Sequence, residues 1–272
     1  MATACSPGCG PRVVGDNRVS DGVDHAEQGA TSAPVFLVDR VPAEGAAVLD
    51  GPEGHHAATV RRLRVGEHAV LADGRGTRAV CRIDGVDRDT LRLAVLRRAV
   101  EPTPAPRVVV AQALVKGDGG ELAVELATQA GVDVIVPWRA SRCVTRWQDG
   151  PRADKALARW RGTAREAAKQ ARRAWVPDVR PPVDTTQLAE LVGRVAKAVV
   201  LDASAPARLG DLPKEGDLLL VVGPEGGISA QELAVLTAAG AVAVRLGPQV
   251  LRASSAAAVA LGAIGVLTDR WT

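Results

Sequence analysis

Hydrophobic positions along this 272-residue chain fall into two patterns with a proline-rich break between them. Residues 1–32 are rich in Gly, Asp and Ser and show no hydrophobic period, so a disordered extension is expected there. The first strand-like run is Pro34-Val-Phe-Leu-Val38. His55 to Leu63 reads as a short helix ending in Arg61-Arg62. The runs His68–Ala72 and Ala79–Ile83 flank Asp73-Gly-Arg-Gly76, a turn whose glycines supply the positive φ that closes a hairpin. Thr90–Leu96 follows as another strand. Short strands with one half-buried face predict a small β barrel or sandwich over residues 33–100. The segment Glu101-Pro-Thr-Pro-Ala-Pro106 favours a stiff, extended connection, so residues 101–107 are expected to link two domains.

From residue 108 to 272 the period alternates between strand and helix. Val108–Gln112, Val132–Val136, Ala198–Leu201, Leu218–Val222 and Val242–Leu246 are apolar runs of the kind buried on both faces of a parallel sheet. Glu121–Ala130 and Asp154–Ala174 have helical spacing. In the second of these, Leu157, Trp160, Ala164, Ala168 and Ala171 form one side, while Arg161, Arg165, Lys169 and Arg172 line a neighbouring face. Ser229-Ala-Gln-Glu232 is a capping box that opens a helix to Ala239. A small-residue helix, about Ser254 to Leu267, ends the pattern. Strand–helix alternation of this kind predicts a mostly parallel α/β sheet.

Composition sharpens the picture. Aromatics are only 2% of the chain, so the core must be built from Ala, Val and Leu. The longest apolar stretch, Ala256 to Leu267, is too short to span a bilayer, and the N-terminus lacks the apolar core of a signal peptide. The four cysteines are scattered, which fits a reducing compartment and a cytoplasmic protein. Cys5 and Cys9 form a pair without a second pair, so no metal site is expected. The net charge of +3 hides a segregation. Residues 138–180 carry twelve Lys or Arg against four carboxylates, a local balance of +8 that leaves −5 elsewhere. Trp138, Trp147, Trp160 and Trp175 lie in that segment. Basic charge interleaved with flat aromatic surfaces suits an RNA backbone with unstacked bases. A solvated helix face with tryptophans packed beneath it reads equally well.

Three late strands run into loop-forming sequences: Leu201-Asp-Ala-Ser204, Gly223-Pro-Glu-Gly-Gly227 and Gly247-Pro-Gln-Val-Leu-Arg252. Ligands of open parallel sheets bind beyond the carboxyl ends of strands, and glycines there let backbone groups approach closely. No GxxxxGK[ST] and no GxGxxG follows a strand, which disfavours a phosphate-cradling loop and a dinucleotide site. All four histidines precede the proline-rich break, so a histidine triad or a His-ligated metal in the α/β part is excluded. A ligand held mostly by backbone groups, beside Arg252, remains.

Leu220-Val-Val-Gly-Pro-Glu-Gly-Gly-Ile228, Arg245-Leu-Gly-Pro-Gln-Val-Leu-Arg252 and Ala256-Ala-Ala-Val-Ala-Leu261 resemble the RsmE family, the 16S ribosomal RNA uridine N3-methyltransferases of the SPOUT class. The resemblance runs from Pro34 onward. It includes His56-Ala-Ala-Thr-Val-Arg-Arg62, Asp73-Gly-Arg-Gly76, Ala113-Leu-Val-Lys-Gly117, Glu121-Leu122 with Glu125-Leu-Ala127, and Glu166-Ala-Ala-Lys-Gln170. It implies a PUA-like β domain that helps hold RNA and an α/β domain threaded into a trefoil knot. No pattern argument would predict a knot, because threaded chains are rare. It also implies S-adenosylmethionine as cofactor, 16S RNA or the small ribosomal subunit as substrate, and a homodimer with the active site at its interface.

Carried onto this sequence, the resemblance puts the cofactor against Leu201, Val222, Gly223, Pro224, Glu225, Gly226, Gly227, Leu246, Gly247, Leu251, Arg252 and Ala256. Arg252 is the first candidate to stabilise an anionic uracil, and Lys116 the second. Glu225 is a candidate proton acceptor, or a carboxylate that merely caps its own loop. Arg61, Arg62, Arg75, Arg165, Lys169 and Arg172 are the candidate RNA contacts. The sequence departs from the family at Val115 and Gly119, where Pro and a basic residue are usual. It departs again at Ala253-Ser254-Ser255, where Thr-Glu-Thr is common.

Overall fold

A computed structural model describes residues 32–211 and 216–271. The expected N-terminal extension and the Cys5–Cys9 pair lie outside these residues, apart from residue 32 of the extension.

The first sheet contains five strands: β1 (Val35–Leu37), β2 (Ala46–Leu49), β3 (His68–Ala72), β4 (Thr77–Asp87) and β5 (Thr90–Val100), in the order β1-β3-β4-β5-β2. All neighbours are antiparallel except β1 and β3, which run parallel. Alternation places Cys81, Ile83, Leu91 and Leu93 inward with Phe36 and Leu71, while arginines take the outer positions. The β3–β4 turn forms as expected. The Asp73 Oδ1 accepts the Arg75 and Thr77 amides at 2.7 and 3.0 Å. Burial acting alone would raise the Asp73 pKa, but these bonds hold its carboxyl below the usual value.

The helix expected at 55–63 starts earlier and stops sooner. Pro52 sits in the first turn of α1 (Gly51–His55), where its missing N–H costs nothing. One wide π-type turn over His56–Val60 follows, closed by the Arg61 amide on the His56 carbonyl at 2.8 Å.

The second sheet is wholly parallel. It comprises β6 (Val108–Ala113), β7 (Val134–Trp138), β8 (Asp178–Val179), β9 (Lys197–Leu201), β10 (Leu218–Val222) and β11 (Val242–Val244), in the order β11-β9-β10-β6-β7-β8. Apart from the partly exposed Val109 and Leu201, the valines and leucines of β6, β9 and β10 are buried, as a sheet covered on both faces requires. Its helices are α2 (Gly119–Gln129), α3 (Pro151–Gln170), α4 (Thr185–Val192), α5 (Ala230–Ala238) and α6 (Ala253–Leu267). The expected capping box at Ser229–Glu232 is present. A second, at Asp184 and Gln187, opens α4, a helix that the hydrophobic pattern does not indicate. No helix among the described residues is long and apolar enough to cross a membrane.

The two sheets are packed together along α3 and the proline-rich segment. The Glu101 amide bonds the Gly76 carbonyl, and the Trp175 indole donates to the carbonyls of Glu101 and Pro102. Gly76 has φ 97°, and a Cβ there would lie 2.6 Å from the Trp175 ring, so no other residue fits that contact. The stretch expected as a stiff, extended connection is tied down at both ends. Arg270 grips its far end through the Pro106 carbonyl and pairs with Asp133 at 2.8 Å.

Candidate functional site

Strand β9 lies between β11 and β10, so the three loop-forming sequences emerge side by side at the carboxyl edge of the sheet. They border a cleft of about 1220 Å³. Leu201, Val222, Gly223, Pro224, Glu225, Gly227, Leu246, Gly247, Leu251, Arg252 and Ala256 all line it, together with Lys116. The α2 edge adds Val115, Gly119, Glu121 and Leu122, and the β9 tip adds Asp202 and Ser204. The sequence marks Asp202 and Ser204 as loop residues without bringing them to the site. Their place directly after an apolar strand is the available signal.

The Gly223–Gly227 loop turns tightly, with the Gly227 amide on the Pro224 carbonyl at 2.9 Å. Gly227 has φ 71°, a left-handed conformation that glycine adopts freely. A network centred on the buried Glu232 supports the loop from behind. Glu232 accepts the Ser141 amide at 2.7 Å and hydroxyl at 2.8 Å, the Ser229 hydroxyl at 2.7 Å, and the Thr185 hydroxyl. Thr185 in turn receives the Trp138 indole. Desolvation pushes the Glu232 pKa up, but the bonds from Ser229 and Ser141 outweigh it, and the carboxyl sits below its usual value of 4.5. Arg142, next to Ser141, donates to the Gly226 carbonyl at 3.1 Å.

That last bond corrects one expectation. Gly226 does not line the cleft; a side chain there would press on the Arg142 Cβ at 3.2 Å. Its glycine serves the approach of the Arg142 loop.

Lys116 and Arg252 are exposed, and among the described residues their side chains form no ion pair. Glu225 accepts the Lys116 amide at 3.0 Å through Oε1, so one oxygen anchors a neighbouring loop and the other is left for a ligand. Behind the cleft, the Gln112 amide group joins the Ala113 and Ala253 carbonyls. Its own oxygen is buried and has no hydrogen-bond partner among the described residues.

The candidate RNA contacts divide. Arg61, Arg62, Arg75, Arg165 and Arg172 are exposed, although Arg75 also holds the Asp39 carbonyl and Arg165 the Leu37 carbonyl. Lys169 is a correction. Its side chain is 8% exposed, and its ammonium lies 2.9 Å from Glu53 and 3.3 Å from Glu166, so it has no face for a phosphate. The aromatic half of the same reading fails for three of its four tryptophans; the fourth, Trp175, is partly buried with its indole bonded to the Glu101 and Pro102 carbonyls. Trp138, Trp147 and Trp160 are buried in the core, the last two edge to face at 5.1 Å, and cannot stack on bases. The packed-beneath alternative holds for them.

A nucleoside carrying positive charge fits the cleft chemically. Leu201, Val222, Leu246 and Leu251 offer apolar surface for a flat base. Three loops offer backbone donors and acceptors, and carboxylates at Asp202 and Glu225 complement a cation. The arrangement is an α/β ligand cleft at the carboxyl edge of a parallel sheet, with a small β domain beside it.

Comparison with known proteins agrees. The RNA methyltransferase domain family matches residues 101–265, and the RNA methyltransferase PUA domain family matches residues 49–96. The chain is 54% identical over 246 residues to the ribosomal RNA small subunit methyltransferase E of Mycobacterium tuberculosis, covering 88% of this chain and 94% of the relative. It is 33% identical over 231 residues to the Bacillus subtilis protein of the same name, with 81% and 90% covered. A crystal structure of ribosomal RNA small subunit methyltransferase E from Neisseria gonorrhoeae, bound to S-adenosyl methionine, superposes with a TM-score of 0.78. Its sequence is 25% identical, and the match covers 87% of this chain and 98% of that one. The chain belongs to the ribosomal RNA small subunit methyltransferase E family.

Proposed function

We propose that this protein transfers a methyl group from S-adenosylmethionine to N3 of a uridine in the 16S RNA of the small ribosomal subunit. The observation that carries this reading is the convergence of the β9, β10 and β11 tips on one cleft, in a chain of this family. The cofactor supplies an activated methyl on a sulfonium, so the chain's task is to position a nucleophile and manage one proton. Lys116 and Arg252 place positive charge at the mouth of the cleft. There it favours the deprotonated form of a uracil imide and steadies the charge that develops as the proton leaves. The Oε2 of Glu225 takes that proton, with the carboxyl oriented by the Lys116 amide on Oε1.

Residues 33–100 form the RNA-holding unit and 108–272 the catalytic unit, joined by 101–107. We take the chain path through the β9–β11 region to be threaded as a trefoil knot. RNA approaches over Arg61, Arg62 and Arg172. A homodimer would cover the exposed Val250 at the cleft and the exposed Val259 and Val266 on α6.

The test is incorporation of isotope-labelled methyl from S-adenosylmethionine into 16S RNA or small subunits from cells lacking the modification. Mass spectrometry and reverse transcription then map the product. Methylation at N3 blocks the pairing face and stops the transcriptase. A methyl on ribose, or no transfer, overturns the reading. Arg252→Ala is expected to lower kcat about a hundredfold, the scale of one preorganised group facing developing charge.

A further inference from the structure

We infer that Asp202 makes the cleft select the cationic methyl donor over the neutral product that transfer leaves behind. The inference rests on the donor site proposed above. Asp202 follows the last residue of β9, the strand flanked by both glycine loops, so its side chain stands between them on the cleft wall. Its backbone is fixed to β11, where the Asp202 amide bonds the Val244 carbonyl at 3.0 Å. Its carboxylate is fixed as well: Oδ1 accepts both the Ser204 amide at 2.8 Å and the Ser204 hydroxyl at 2.7 Å. Both donors are neutral, so the negative charge is oriented and not cancelled. Oδ2 takes no hydrogen bond from the described residues.

The other carboxylates of the cleft are differently placed. Glu121 is paired with Arg159 at 3.3 Å, and Glu225 holds the Lys116 amide. Asp118 and Glu125 are exposed on the α2 side, where water and salt screen them. Asp202 is half-buried, and its charge therefore reaches a ligand with less screening. Five carboxylates against two cations line this cleft in a chain whose net charge is +3, a local inversion of sign.

Transfer changes the ligand by one unit of charge. The methyl carbon leaves for the base, the bonding pair stays on sulfur, and the sulfonium becomes a neutral thioether, while the base loses its proton to an acceptor. A fixed carboxylate at the strand tips stabilises the ligand before that step more than after it. Product release and donor capture are both favoured.

Asp202→Asn keeps an oxygen for Ser204 to bond and removes only the charge. Calorimetric titration of the intact protein with S-adenosylmethionine and with S-adenosylhomocysteine reads the effect. The substitution is expected to weaken donor binding about tenfold and product binding less than about twofold, the scale of one poorly screened charge. Added salt narrows the wild-type preference in the same direction. Equal weakening of both ligands, or no change in either, overturns the inference. Equal weakening would mean that Asp202 serves a group common to both ligands, or only its own turn. Failure of the unsubstituted protein to bind either ligand would overturn the donor-site reading itself, and this inference with it. An unchanged thermal midpoint for Asp202→Asn confirms that charge and not folding was altered.

Discussion

The seam between the two sheets and the cleft at the strand tips are both rich in charge, and they use it in opposite ways. At the seam Lys169 meets Glu53, and at the far end of the proline-rich segment Arg173 and Arg270 converge on Asp133. These groups are matched by partners and largely removed from water. At the cleft, Lys116 and Arg252 have no ion-pair partner among the described residues, and Asp202 is oriented without being neutralised. Charge at the seam holds the body of the protein in one arrangement. Charge at the cleft is kept in reserve for something that arrives. A basic segment in a sequence does not by itself say which use applies, because the answer depends on carboxylates more than a hundred positions away.

The comparison breaks first, if it breaks, at Lys169. Replacing it with Met leaves the Glu53 carboxylate poorly compensated at a packed interface, and breaking such a pair costs about 3 kcal/mol. Urea unfolding is expected to show that loss, with donor affinity unchanged in the fraction that remains folded. Adding Glu53→Leu removes the stranded charge and is expected to recover part of it. A variant of normal stability that binds RNA poorly would instead return Lys169 to the RNA surface, and seam and cleft would no longer differ in how they use charge.

Much of the fold can be read from the sequence, and the exceptions have physical causes. Runs such as Leu218–Val222 announce themselves because a parallel strand covered on both faces has no polar positions to confuse the pattern. The loops after β9, β10 and β11 are visible because residues that favour turns follow such runs closely, glycine and proline above all. Strand β8 is two residues long and precedes Pro181-Pro182, too little for any period to register. Helix α1 begins at Gly51 because Pro52 fits a first turn, a signal weaker than the His56–Arg62 motif beside it. Lys169 sits at perfect helical spacing with Arg161 and Arg165, yet only the fold brings Glu53 to it. Gly226 carries the same glycine signature as its neighbours, and only the position of Arg142 tells which way it faces.

A smaller effect is expected from acid. Glu232 links α5 to the Ser141–Arg142 turn and thereby backs the Gly223–Gly227 loop. Burial alone would raise its pKa, but its hydrogen bonds from Ser229 and Ser141 lower it. The folded protein therefore holds this carboxylate ionised where the unfolded chain already binds a proton. The associated stability is fully present above the ordinary value of 4.5 and is lost as pH falls through the lower folded value. Urea midpoints followed downward from about pH 6 should decline as that ordinary value is passed, and Glu232→Gln should flatten that part of the curve. An unchanged profile in the variant would assign the acid sensitivity elsewhere.

The smallest effect on stability, and the one that most sharpens the contrast, belongs to Arg61 and Arg62. Both are exposed at the end of the π-type turn, and Arg62 has φ 54°, a conformation that asparagine tolerates better than most residues. Arg61→Gln with Arg62→Asn therefore removes two charges with little backbone penalty, and stability should move by no more than about 0.5 kcal/mol. If these groups meet phosphates, affinity for the RNA substrate falls, and the slope of log affinity against log salt drops by about two, one for each phosphate no longer neutralised. Donor affinity stays where it was, because neither residue borders the cleft. A reduced affinity with an unchanged slope would mean that the pair shapes the surface without touching the backbone of the RNA. The electrostatic footprint would then have to be sought at Arg165, on the exposed side of the helix whose buried side holds the two sheets together, and at Arg172 in the turn just past its end.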